Sequence, residues 1–240
     1  MSGIQYKDKL LPNQSYFNHL YSGPVPYETA LYDLALTFAS DFSAAHFKLE
    51  VPKAVAFEEM STPPTQLALF NALIQLTGAK TVLEVGTFIG HCTMQLARMV
   101  GENGHVTTIE VGKEFADLAR QNFQSNGFGE RITLLEGNAG DILGGLPKRS
   151  FDLVFVDGSK QDYLDYTLKA EALISERGMI VVDDVFFHGD ALNAIPKTEK
   201  GQGCRKLLDH YRQDSNFTKL IVPISNGILV LFHRPMEKKV

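Results

Sequence analysis

Thr81–Cys92 reads T-V-L-E-V-G-T-F-I-G-H-C. Thr81, Val82, Leu83 and Val85 are β-branched or apolar and predict a strand that ends at Gly86; a helical pattern begins near Gly90. Strand, tight glycine turn and helix together present backbone N–H groups and a helix N-terminus to a ligand. Downstream, strand patterns at Thr81–Val85, His105–Glu110, Arg131–Leu135, Phe151–Val156 and Gly178–Val182 alternate with helical patterns near 90–100, 113–126, after 139 and over 163–174. That alternation predicts an α/β fold with a doubly wound, mostly parallel sheet. A helix is expected over Cys204–Arg212, after a loop at 186–201. Strands over 218–223 and 227–233 then flank Asn226-Gly227, a turn signal that makes the final pair an antiparallel hairpin.

Upstream, apolar spacing predicts a helix over Tyr27–Phe42, and Thr62-Pro63-Pro64 opens another that Gly78 caps. Residues 44–60 show no clear period. Residues 1–59 therefore read as a variable helical arm, and residues 60–240 as the core of a single domain.

A net charge of −5 leaves no basic surplus for a nucleic-acid backbone. No apolar run approaches the roughly 18 residues of a membrane span, and Met1–Leu11 lacks the apolar centre of a signal peptide. Cys92 and Cys204 are the only two cysteines, too few for a disulfide framework. A cytoplasmic protein is expected.

The chemistry begins at the glycine turn. A dinucleotide fingerprint would place glycine at 86, 88 and 91, but the chain has Gly86, Phe88 and His91. Bulky side chains at two of the three positions speak against a pyrophosphate. Glu110 ends the second strand, where a carboxylate can accept hydrogen bonds from ribose hydroxyls. Together these features suggest a nucleoside cofactor without phosphate, S-adenosyl-L-methionine; the bland reading is a helix cap and a solvated acid. Asp157 ends the fourth strand and Asp183-Asp184 end the fifth. One such aspartate is as readily a turn cap. Three at adjacent strand ends favour a divalent cation, Mg²⁺ first and Mn²⁺ or Ca²⁺ next, because all the donors are oxygens. Lys160 lies three residues after Asp157; beside a cation it could be neutral and act as a base, and alone it reads equally well as a solvated lysine.

V-L-E-V-G-T-F-I-G-H-C, T-I-E-V, F-V-D-G-S-K-Q-D-Y and V-V-D-D-V, taken in order, resemble the cation-dependent O-methyltransferases of the caffeoyl-CoA and catechol type. The resemblance covers about Met60 to the C-terminus. It implies a Rossmann-like class I methyltransferase fold whose seven-stranded, mostly parallel sheet ends in an antiparallel hairpin. It also implies that Glu84, Gly86, Thr87, Phe88 and Cys92 hold the methionine part of the cofactor, Glu110 the ribose, and Asn138 and Ala139 the adenine, with Met60 alongside. Asp157, Asp183 and Asp184 would bind the metal, and Lys160 with Asp157 would carry catalysis. Two departures stand out: Asp184 where the family usually has asparagine, and Cys92 where serine is frequent. The implied reaction is metal-assisted methylation of a hydroxyl on a small aromatic acceptor by a homodimer, with Phe186 and Phe187 lining the acceptor pocket. A polyketide or sugar hydroxyl is the alternative acceptor; a nucleotide-dependent oxidoreductase is disfavoured by the missing glycines.

Overall fold

The structure, a computed structural model, describes residues 22–53 and 55–233; the start of the expected arm, residues 1–21, lies outside them. The sequence folds around seven strands: β1 (Thr81–Val85), β2 (His105–Glu110), β3 (Ile132–Glu136), β4 (Phe151–Val156), β5 (Ile174–Val182), β6 (Phe217–Val222) and β7 (Ile228–His233). Their order across the sheet is β3-β2-β1-β4-β5-β7-β6. Strands β1 to β5 pair in parallel, whereas β7 runs antiparallel to both β5 and β6. The expected methyltransferase-type sheet with its closing hairpin is what the chain forms.

Side-chain alternation builds a core on each face. On β4, Phe151, Val154 and Val156 face one core, and Leu153 and Phe155 face the other. The first core is covered by α6 (Ala139–Leu143), α7 (Tyr163–Glu171) and α8 (Glu199–Gln213), and the second by α3 (Pro64–Thr77), α4 (His91–Met99) and α5 (Lys113–Ser125). Two further helices, α1 (Tyr27–Phe38) and α2 (Phe57–Met60), precede them.

Several boundaries differ from expectation. Helix α8 begins at Glu199, five residues before the expected Cys204 and inside the expected loop, because the Thr198 side chain caps it by accepting from Gly201 N–H. Helix α7 stops at Glu171 instead of reaching 174, because Ile174 already pairs with Phe151 in the sheet. The pairing then skips from Ile174 to Met179 while β4 advances from Phe151 to Leu153, so 175–178 bulge outward. The hairpin turn is longer than an Asn-Gly pair: Ser225 and Gly227 take positive φ, and the Gly227 N–H donates to the Ile224 carbonyl. Helix α1 ends at Phe38, and 40–42 and 44–46 are single 3₁₀ turns.

The aperiodic stretch after residue 46 is held by amide side chains. Asn126 exchanges two hydrogen bonds with the Lys48 backbone, and Asn122 Oδ1 accepts from Glu50 N–H at 2.7 Å. Buried His91 then packs edge-on against Phe47 and Phe57, tying this segment to the start of α4. Burial pulls the His91 pKa down to about 4, so the ring is neutral at pH 7.

Helix α8 seats its backbone directly on the turn that carries Lys160. A Cβ at Gly203 would lie 2.1 Å from the Lys160 carbonyl oxygen and 2.7 Å from Gln161 Cα. Gly203→Ala is expected to cost about 1–3 kcal/mol by overpacking, read as a lower urea midpoint. An unchanged midpoint would mean that this close seating is not required.

Candidate active site

The chain runs outward from β1 to β2 and β3, then crosses back to β4, so a crevice opens between the carboxyl ends of β1 and β4. The two ends are in backbone contact. Asp157 N–H donates to the Val85 carbonyl at 2.8 Å, and a Cβ at Gly86 would meet the Asp157 carbonyl oxygen at 2.4 Å. Gly86 is therefore a glycine because β4 leaves no room for a side chain, and its φ of +99° suits no other residue.

A cavity of about 890 Å³ extends from this crevice. One arm is lined by Gly86, Phe88, Glu110, Asn138 and Ala139, and Met60 also faces the cavity. The Glu110 carboxylate organises that arm. Its Oε2 accepts from Thr87 and Phe88 N–H at 3.2 and 2.8 Å, and its Oε1 accepts from Gly112 N–H at 2.8 Å. Oε1 retains a lone pair for a hydroxyl. Phe88, at φ +51°, stands edge-on to Phe115 where a glycine-rich loop would have closed around phosphate. Ile109, Val111 and Phe115 add an apolar wall beside Glu110. A ribose acceptor next to a flat apolar slot fits a nucleoside.

Glu84, Thr87 and Cys92 do not line the cavity; they support its loop from beneath. Glu84 is fully buried, and its Oε2 accepts from the hydroxyls of Thr93 and Thr108 while Oε1 has no partner. Burial pushes its pKa up to about 7, against the opposing effect of those hydroxyls. Thr87 joins Thr108 through a 2.6 Å hydroxyl contact. Burial likewise raises the Cys92 thiol well above its usual range, so it is a neutral packing group next to Glu84.

The other arm holds the charges. Lys160 Nζ lies 3.3 Å from Asp157 Oδ1 and 3.0 Å from Asp184 Oδ2. Burial opposes its charge, yet the two carboxylates outweigh that and hold the ammonium above the ordinary lysine range. The Tyr163 hydroxyl also donates to Asp157 Oδ1, at 3.5 Å. Asp183 is 5% exposed, and its Oδ1 accepts from Asp184 N–H at 2.7 Å. Burial raises both Asp157 and Asp183; repulsion from Asp184 adds to both, and Lys160 opposes the rise at Asp157.

The expected acceptor wall is half correct. Phe187 lines the cavity. Phe186 does not: its ring lies over Gly227, where a Cβ would meet it at 2.5 Å, and it packs on the inner core. The reason is the turn itself, since Phe186 N–H is tied to the Asn226 carbonyl at 2.8 Å. Tyr32, Gln66, His188, Lys200 and Asn226 also line the cavity. They come from distant parts of the chain, and no local motif marks them.

The family model described as O-methyltransferase matches residues 44–234. The chain belongs to this O-methyltransferase family. A protein of Mycobacterium sp. (strain JLS) whose name places it among the O-methyltransferases is 33% identical over 179 residues, covering 74% of this chain and 81% of that one. Among solved structures, the O-methyltransferase TomG of Streptomyces achromogenes, involved in tomaymycin synthesis and determined in complex with SAM, superposes with a TM-score of 0.73. It is 24% identical and covers 87% of this chain and 99% of its own. An O-methyltransferase of Bacillus cereus in complex with SAH gives a TM-score of 0.67 at 24% identity, over 90% of this chain and 95% of that one.

For this O-methyltransferase, the charged arm is an all-oxygen donor set with three carboxylates against one ammonium, which in donor chemistry and charge fits a hard divalent cation. Among the described residues no three acidic, histidine or cysteine side chains are already grouped as a metal site. Lys160 spans the gap between Asp157 and Asp184, and Asp183 is turned to a backbone N–H.

The buried acid under the glycine loop yields a pH test. Glu84 holds its proton more tightly folded than unfolded, so stability falls as pH rises from about 4.5 to about 7. Glu84→Gln removes that dependence. Over this interval the wild type is expected to lose about 3 kcal/mol relative to the variant, measured by urea unfolding at both ends. Parallel pH curves would overturn the assignment.

Proposed function

We propose that this enzyme transfers the methyl group of S-adenosyl-L-methionine to a hydroxyl of a small aromatic acceptor, with a divalent cation at the charged arm. One observation carries the reading. Lys160 Nζ sits between Asp157 and Asp184 in the same cavity that Glu110 and the glycine loop line. The cofactor is assigned from the ribose acceptor at Glu110, the apolar slot beside it and the bulky Phe88, with support from the SAM and SAH complexes of the structural relatives.

Asp157, Asp183 and Asp184 would hold the cation, which when bound supplies a Lewis acid that favours the ionised acceptor oxygen. A phenol has a pKa of about 10 and is mostly protonated at neutral pH. With a cation on the same carboxylates Lys160 would lose the ion pairs that hold its proton, and its Nζ, which faces the cavity, would be the group that takes the hydroxyl proton. Methyl transfer then breaks the sulfonium C–S bond and forms the new C–O bond, and the neutral thioether leaves. Orientation is the chain's main contribution: the glycine loop and the acid cluster share one backbone junction, so donor and acceptor are held in line. Phe187 gives the acceptor ring an apolar wall, and His188 and Lys200 border it.

We extend the reading to a cytoplasmic homodimer. Leu31, Leu34 and Phe38 are exposed along α1, an apolar stripe of the kind a second subunit covers. No helix among the described residues is long and apolar enough to cross a membrane.

An acceptor screen tests the reaction. With SAM and Mg²⁺, catechols are expected to be methylated at least tenfold faster than matched monophenols. Dialysis against EDTA should abolish transfer, and added Mg²⁺ should restore it; transfer undiminished by EDTA would remove the cation. Lys160→Met is expected to lower kcat by about 100-fold or more while SAH affinity, read by calorimetry, stays within twofold. Equal losses in both would make the lysine a structural residue.

A further inference from the structure

Gln66 is the third residue of α3 and is fully buried, yet it borders the cavity. Neither its amide nitrogen nor its amide oxygen has a hydrogen-bond partner among the described residues. Buried amides are rarely left in that state, and an orphaned pair in a native fold calls for a partner such as a water or an ion. The helix around it is fixed. Pro64 opens α3, the Pro63 carbonyl accepts from both Gln66 and Leu67 N–H, and Leu67 and Phe70 anchor the inner face at 0% exposure. Gln66 therefore cannot turn to solvent. Its amide faces the carboxyl of Asp183, at the end of β5, without closing a bond of ordinary geometry.

Asp183 itself is half committed. Its Oδ1 accepts from Asp184 N–H, which leaves Oδ2 to be oriented by something else. A carboxamide suits that task, because it can donate to the carboxylate from Nε2 and still accept at Oε1. Hard divalent cations such as Mg²⁺ keep several of their waters, which need acceptors nearby.

We propose that Gln66 is the positioning residue for Asp183: its amide donates to that carboxylate and accepts from a water of the bound divalent cation. The inference rests on the cation reading above. It assigns to α3 a part in the charged arm that the strand-end acids do not reveal, and it gives both orphaned atoms a partner in the loaded state.

Calorimetric titration of Mn²⁺ into the full-length protein saturated with SAH tests this without turnover. Gln66→Leu and the unbranched Gln66→Met are expected to weaken Mn²⁺ binding 10- to 100-fold, the usual effect of losing a group that orients a metal ligand. SAH affinity should stay within twofold. The urea midpoint of the metal-free variants should be unchanged or higher, because a buried orphan amide has been replaced by an apolar group. Mn²⁺ affinity equal to wild type, or parallel losses of Mn²⁺ binding, SAH binding and stability, would overturn the role of Gln66 and leave the cation reading standing. A wild type that binds no Mn²⁺ would remove both.

Discussion

The carboxyl ends of β1 and β4 approach so closely that only a residue without a side chain fits between them. The contact of Gly86 with the Asp157 carbonyl, closed by the Asp157 N–H on Val85, joins the two halves of the site through main chain alone. The cofactor loop leaves one side of this junction and the acid–lysine cluster leaves the other. A methyl donor and its acceptor must meet within a near-attack distance, and displacement by an ångström is costly to the rate. Backbone contact sets that alignment more stiffly than long side chains could.

The two halves handle negative charge in different ways. The Glu110 carboxylate accepts from three backbone N–H groups, and in doing so it fixes the loop that it serves. Glu84, on the adjoining strand β1, has no such donors at Oε1 and is driven toward its neutral form by burial. The Asp157, Asp183 and Asp184 group is intermediate: one ammonium, one backbone N–H and the Tyr163 hydroxyl serve three carboxylates. The carboxylates on either side of Lys160 hold it as an ammonium.

Much of this was legible in the sequence, for identifiable reasons. Short, mostly apolar runs such as Phe151–Val156 suit strands buried on both faces, and β1, β2 and β4 fall where their patterns place them. The acids were legible because strand ends define the crevice in any open α/β sheet. What escaped depended on tertiary contact. Residues 47–50 carry no period because their backbone is satisfied by Asn122 and Asn126 side chains from α5. Phe186 and Phe187 are adjacent and chemically alike, and only the turn decides which one faces the cavity. Gln66 looked like one more helical residue, since nothing local tells that Asp183 lies opposite.

That turn gives the C-terminal hairpin a second purpose. Asp184, Phe187 and His188 all take positive φ, a conformation that costs non-glycine residues about 1–3 kcal/mol each and persists only where the surroundings impose it. Here the imposing element is the β6–β7 turn. Gly227 and Asn226 carbonyls accept from Val185 and Phe186 N–H, and Asn226 Oδ1 accepts from His188 N–H. Gly227 lacks a side chain so that the Phe186 ring can lie on it. With Phe186 pinned inward, Asp184 is left pointing at Lys160 and Phe187 at the cavity. The antiparallel hairpin that closes the sheet is therefore also the clamp that aims one acid and one aromatic of the site. A parallel strand at that edge would enter through a crossover and bring no turn to the carboxyl end of β5. The direction of β7 and the placement of Asp184 are thus one constraint expressed twice.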